Sequence, residues 1–334
     1  MDLVLKSLLS FSLLAGLAFA SLPVYAQSFA ANGETMQGHI KGPEDDSQKT
    51  GKRPKVAIVL GGGGLRSASG IGVLKALEDE GVPVDLVLGT GMGAVVGGLY
   101  CAGMTPEHIE EQFTKKKLMH AYLTIPLSLR ILVIPLFYTP RLVGIEPYDG
   151  LYRGKKFAAY LDKQVPETQH QIEELKLPFA AVAVNLLDGQ SKLLRSGSLS
   201  KVLQASCAIP ALRKPVKMDD GLYVDGAVLN NLPVKEARQL GADIVVAVDV
   251  TEKIEDTVDG DYHKVGSVSH RVVNLCLAQS NKEARQLADY VIIPQTGHIG
   301  LISTSAADAK TCIEAGLRAG HQAAPAIREL IERH

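Results

Sequence analysis

Four consecutive glycines, Gly61 to Gly64, stand between a β-rich run at 55–60 and a stretch at 70–80 with helical spacing. In the second stretch Ile71, Leu74, Ala76 and Leu77 share one face. Strand, glycine turn and helix form the opening of an α/β unit, and the alternation continues down the chain. Strands are predicted at 84–88, 179–185, 192–195, 244–250 and 290–293. Helices are predicted at 94–102, 265–287 and 306–333, with a further start at Thr105-Pro106-Glu107, where a capping hydroxyl precedes proline and an acid. Asp188-Gly189 between two strand-like runs signals a hairpin. This pattern predicts a three-layer α/β fold: a mainly parallel sheet with helices on both faces.

Of the 334 residues, 46% are hydrophobic, enough for a large core. Lys and Arg total 35 against 36 Asp and Glu. Near-zero net charge argues against a bulk grip on nucleic acid, and the absence of tryptophan argues against a base-stacking platform. No nucleic-acid partner is expected.

Residues 1–26 read as a signal peptide for export, periplasmic or secreted. Lys6 supplies the charged end, 8–20 the apolar stretch, and Val24-Tyr25-Ala26 the small-x-small cleavage form before Gln27. A membrane anchor is the weaker reading because the apolar run is short. Residues 27–54, polar and without apolar periodicity, read as a disordered leader. The folded domain is expected over 55–334, with its core motifs within 56–240. Cys101, Cys207, Cys276 and Cys312 form no C-x-x-C pair, and buried free thiols are expected for most of them. The apolar segment 123–145, broken by Pro126, Pro135 and Pro140 and preceded by Lys115-Lys116-Lys117, reads as an insertion packed on the sheet. A lid or membrane-touching surface is its alternative.

A glycine loop before a helix suits a dinucleotide pyrophosphate or an oxyanion. The dinucleotide reading wants an acid at the end of the second strand, whereas Asp85 stands near its beginning. Arg66 adds positive charge by the helix start, which suits an oxyanion or phosphoester. Gly89-Thr90-Gly91-Met92-Gly93, between a strand and a helix, has the geometry of a nucleophile elbow. Its central residue, Gly91, has no oxygen and tolerates the strained turn. Tyr223-Val224-Asp225-Gly226-Ala227, followed by Asn230-Asn231-Leu232-Pro233, holds an acid behind a short strand. Taken alone it reads as an ordinary Asp-Gly turn.

Taken in order, these pieces resemble the patatin-like phospholipase family. The resemblance is carried by Gly61–Gly64 with Arg66, Ile71-Gly72-Val73-Leu74, Gly89-Thr90 with Met92-Gly93, and Gly97-Gly98-Leu99-Tyr100. It continues through Ala205-Ser206-Cys207-Ala208-Ile209-Pro210, Asp225-Gly226-Ala227 to Pro233, and Ala242-Asp243 to Asp249-Val250. It implies hydrolysis of acyl esters of phospholipids by a Ser–Asp dyad without cofactor. Asp225 would be the base, Gly62, Gly63, Gly64 and the Met92 amide the oxyanion donors, and Gly91 the vacated nucleophile position. Gly89, Gly93, Gly226, Ala227 and Arg66 complete the motifs. Ser67 and Gly70 also depart from the family pattern, where glycine and histidine are usual, and the three changes are expected around one pocket.

Three readings follow. The first is a lipid-binding pseudo-hydrolase or very weak hydrolase, with a phospholipid or other acyl lipid as partner and contact with a membrane surface. The second is an active ester hydrolase with a relocated nucleophile at Ser67, Ser69 or Thr90. The third is an altered copy of an active parent. The nine histidines are scattered, so no metal is expected.

Overall fold

The computed structural model describes residues 53–124, 150–219, 221–263 and 266–334. The segments expected as signal peptide and leader, up to residue 52, and positions 125–145 of the apolar insertion lie outside the described residues.

Eight strands form one sheet: β1 (Val56–Leu60), β2 (Leu86–Thr90), β3 (Phe179–Asn185), β4 (Gln190–Leu194), β5 (Val216–Met218), β6 (Gly221–Asp225), β7 (Ile244–Val248) and β8 (Tyr290–Ile292). Their order is β5-β6-β3-β2-β1-β7-β8, with β4 also paired to β3. The central run β3-β2-β1-β7-β8 is parallel. Strands β4, β5 and β6 add antiparallel pairs at one side. The Asp188-Gly189 signal falls in the β3–β4 hairpin.

The sheet is apolar on both faces, and period-two alternation sorts its side chains. Val56, Ile58 and Leu60 point into a cluster with helices α1 (Ser69–Asp79), α2 (Met92–Cys101) and α9 (Ala306–Arg333). The same side carries α3 (Pro106–Thr114), α4 (Lys117–Tyr122), α5 (Lys155–Asp162) and α6 (Leu199–Ser206). Ala57 and Val59 point the other way, toward α7 (Val234–Gln239) and Ala284 of α8 (Ser267–Leu287). Each large side chain sealed in these layers contributes about 1.5–3 kcal/mol.

The shift that bears on the site is in β2. β2 begins two residues later than expected and takes in Gly89 and Thr90, because both remain in the ladder, opposite Leu60 and Val182. The turn is therefore compressed into Gly91 alone. Asp85, ahead of β2, exchanges hydrogen bonds with Val56: its Oδ2 accepts the Val56 N–H at 2.8 Å, and its own N–H donates to the Val56 carbonyl at 2.9 Å. It fastens the start of the parallel pair, far from the glycine loop at the other end. All four cysteines are free, and Cys101, Cys207 and Cys312 are buried.

Candidate functional site

The site is made by a meeting of two strands on one edge of a third. β2 pairs with the first half of β3, ending at Thr90 opposite Val182. β6 pairs with the second half, ending at Asp225 opposite Ala183. β4 pairs with Ala181 to Asn185 and so occupies the opposite edge. The C-terminal ends of β2 and β6 therefore approach each other head-on, one residue apart along β3. Gly91 and Asp225, distant in sequence, become neighbours through register alone.

Gly91 turns the chain from β2 into α2 with φ 57° and ψ −131°, a conformation that costs an ordinary L-residue about 1–3 kcal/mol. Its carbonyl accepts the Ala94 N–H at 3.0 Å, and its N–H donates to Ser206 Oγ at 3.0 Å. Ser206 Oγ in turn donates to the Val182 carbonyl at 2.7 Å. Gly93 is demanded by contact: a Cβ there would stand 2.4 Å from the Leu60 carbonyl and 2.5 Å from that of Gly61. Gly89 is likewise pressed against the start of α2, at Ala94. The elbow is thus packed directly on the glycine loop.

A Cβ at residue 91 meets a different environment. It would lie 3.4 Å from each carboxylate oxygen of Asp225 and 3.6 Å from the Gly62 α-carbon. These are ordinary van der Waals separations. A side chain there would fit and would face the acid.

Asp225 is buried beside this point. Its N–H donates to the Ala208 carbonyl at 3.0 Å, and its Oδ1 accepts the Ala227 N–H at 2.9 Å. Oδ2 has no hydrogen-bond donor among the described residues. Burial pushes the carboxyl up to about 7, opposed only by the Ala227 amide. Gly226 packs its α-carbon against the Val182 carbonyl, where a Cβ would come within 2.4 Å, which lets the chain turn tightly behind the acid.

The glycine loop divides the expected oxyanion donors. The Gly62 N–H is already engaged: it donates to Asn231 Oδ1 at 2.9 Å, while Asn231 Nδ2 donates to the Gly62 carbonyl at 3.2 Å. Gly62 is therefore a fixed strut rather than an open donor. The amides of Gly63, Gly64 and Met92 have no acceptor among the described residues. Gly63 and Met92 are buried, and buried amides without partners are rare outside functional sites.

Arg66 corrects another expectation. It does not offer charge to a ligand. Its guanidinium is fully buried, with Nη1 donating to Glu252 Oε2 at 3.1 Å and Nη2 to Asn274 Oδ1 at 2.8 Å. Burial lowers its pKa, and Glu252 works against that shift. It ties the loop to α8 and to the segment after β7. Ser67 and Gly70 do not gather around the pocket either. Ser67 Oγ donates to the Gly61 carbonyl at 3.1 Å, and Gly70 packs its α-carbon toward Leu60 and Val96. Ser69 Oγ donates to the Arg66 carbonyl at 2.8 Å, and Thr90 Oγ1 to that of Asn230 at 3.2 Å. All three hydroxyls belong to buried residues and are committed to backbone oxygens.

Ser206 and Asn231 were not singled out by their chemistry, although both lie in the stretches that carry the family resemblance. The signal available was a polar side chain embedded in an apolar stretch, as in Ala205-Ser206-Cys207-Ala208. One holds the elbow's amide and the other holds the glycine loop.

The family described as Patatin-like phospholipase matches residues 58–238. Patatin-like phospholipase domain-containing protein 6 of Mus musculus is 33% identical over 202 residues, which cover 60% of this chain and 14% of that protein. An uncharacterized NTE family protein of Mycobacterium bovis is 33% identical over 197 residues, covering 58% of this chain and 49% of that protein. The chain therefore spans at most about half the length of these curated relatives. Among solved structures, VipD from Legionella pneumophila aligns with a TM-score of 0.46 and 17% identity, over 82% of this chain and 67% of that one. Human GIVD cytosolic phospholipase A2, in complex with methyl gamma-linolenyl fluorophosphonate, aligns with a TM-score of 0.46 and 13% identity, over 84% and 58%.

Proposed function

Because the chain belongs to the patatin-like phospholipase family, we propose that its site binds the acyl esters of phospholipids or related lipids without covalent turnover. It acts as a lipid-binding pseudo-hydrolase or a very weak hydrolase, exported as expected from the segment 1–26. One observation carries this reading. The point where a side chain at 91 would begin lies 3.4 Å from both oxygens of Asp225, yet residue 91 is glycine. The acid lies beside a position that has no nucleophilic atom, and the amides of Gly63, Gly64 and Met92, without acceptors among the described residues, are the oxyanion donors that the family resemblance implies. An acyl ester needs such an atom for a covalent intermediate. The exposed side chains of Val228 and Leu229, just past Asp225, provide apolar surface for an acyl chain. The committed hydroxyls of Ser67, Ser69 and Thr90 weigh against a relocated nucleophile.

The test is a pair of proteins, the chain itself and its Gly91→Ser variant, assayed with a short-chain ester and a fluorophosphonate probe. The variant should be labelled at residue 91 and should hydrolyse ester on the order of 10⁴-fold faster or more. The unsubstituted chain should take up no label. Stoichiometric labelling of any serine in it would sink the proposal.

A further inference from the structure

We infer that Gly91 turns this site from a covalent to a water-using one: Asp225 activates a water held where the side chain at 91 would stand, and that water attacks the bound acyl ester directly. The inference rests on the function proposed above and supplies its chemistry.

The geometry is that of a small polar site. Apart from Gly91 and its chain neighbours, the nearest heavy atoms to the Cβ position of residue 91 are Asp225 Oδ1 and Oδ2 at 3.4 Å and the Gly62 α-carbon at 3.6 Å. The Cβ position itself is bonding distance, about 1.5 Å, from the Gly91 α-carbon, so the water stands beyond it, about 3.3–3.6 Å from that carbon on the side of the carboxylate, at hydrogen-bond distance from Asp225. Oδ1 already accepts the Ala227 N–H, which orients the carboxylate and leaves Oδ2 for the water. Among the described residues the acid has no cationic partner to hold its charge, and burial carries its pKa to about 7, where a general base works well near neutral pH.

The step balances as follows. Asp225 Oδ2 takes one proton from the water, and the oxygen of the resulting hydroxide bonds to the ester carbonyl carbon. The carbonyl electron pair moves to its oxygen, for which the family resemblance supplies the Gly63, Gly64 and Met92 amides as donors. The intermediate then collapses. The C–O bond to the alcohol breaks, and the alkoxide takes the proton back from Asp225. Fatty acid and alcohol leave, and the protein is unchanged. No atom of the chain is acylated. A seryl oxygen would stand in the same place, so the covalent and the water route exclude each other at residue 91.

The experiment compares the full chain with Asp225→Asn, Gly91→Ala and Gly91→Ser on a short-chain ester, each with and without a fluorophosphonate. The chain should turn over slowly, on the order of 10⁴-fold below Gly91→Ser. That slow rate should be untouched by the fluorophosphonate and should rise with pH to a plateau above about 7. It should fall to the buffer rate in Asp225→Asn, and also in Gly91→Ala, whose methyl takes the water's place. Gly91→Ser carries the same Cβ, so its activity certifies that the fold accepts one. An unsubstituted chain at the buffer rate beside an active Gly91→Ser overturns the water route and leaves the proposed function standing. An inactive Gly91→Ser brings down the proposed function itself. Slow turnover that persists in Asp225→Asn, or that the fluorophosphonate stops, also overturns the water route.

Discussion

Two buried aspartates sit at the ends of strands in the same sheet, and they are treated in opposite ways. Asp249, directly after β7, accepts at Oδ1 from the Thr251 N–H at 2.8 Å and from Asn281 Nδ2 at 2.9 Å. Its Oδ2 pairs with Arg285 Nε at 2.5 Å. Asp225, at the end of β6, accepts one amide and has no cationic partner among the described residues. The first is a satisfied structural charge that ties α8 to the sheet. The second is left poor in partners, in a place where that poverty destabilises the ionised fold. Low local dielectric makes paired groups strong and unpaired ones expensive. A carboxylate kept poor in partners beside a glycine turn therefore points to use rather than to architecture.

The contrast can be broken most directly at Asp249. Asp249→Ala removes three acceptor contacts, takes the carboxylate from Arg285 and leaves Asn281 Nδ2 with Thr251 Oγ1 alone. We expect a loss of about 3–5 kcal/mol in urea unfolding. A loss under about 1 kcal/mol would erase the distinction between the two acids.

Asp225→Asn should move the other way. The folded-state pKa of Asp225 is raised by burial to about 7 from the ordinary carboxylate range, so the fold prefers the protonated form. The associated stability is present in full below about pH 4 and is lost as pH climbs through about 7. Asparagine mimics the protonated state at every pH and can still accept the Ala227 N–H. The variant should be equal in stability near pH 4 and more stable by about 2–4 kcal/mol at pH 8. Equal stability across that range would place Asp225 beside Asp249 as an ordinary structural acid.

The smallest effect sharpens the comparison at the neighbouring turn. Gly91→Ser puts an L-residue at φ 57° and should lower stability by about 1–2 kcal/mol while raising hydrolysis. A variant that gained both stability and activity would show that the turn carries no strain.

The sheet was legible wherever a pattern ended on its own punctuation. β3 and α9 begin and end where the apolar spacing does, at Phe179–Asn185 and Ala306–Arg333. β2 was misplaced by two residues because Gly89 and Thr90 look like turn residues, whereas their partners in β1 and β3 keep them extended. The antiparallel β5 was missed for a related cause: three residues carry too little periodicity to read. At the site, Gly91 and Asp225 could be named from their motifs, since each lies in a short stretch with its own glycines. The fates of Arg66 and Gly62 could not. Their partners, Glu252, Asn274 and Asn231, are more than 160 residues away in sequence, and no local pattern announces a bond across that distance. The position of Ser206 under the elbow depends on how α6 lands on β3, which is a fact of packing.

The arrangement of β2 and β6 along one edge of β3 also has a consequence in time. During synthesis the elbow emerges first, the shared edge some ninety residues later, and the acid last of the three. A nascent chain stopped anywhere short of residue 225 already owns the bend and the loop of glycines but has nothing to draw a proton with. On the function proposed above, chemical competence arrives in one stroke, when β6 slots in beside its neighbour, and a truncated product is mute however well its first half has folded.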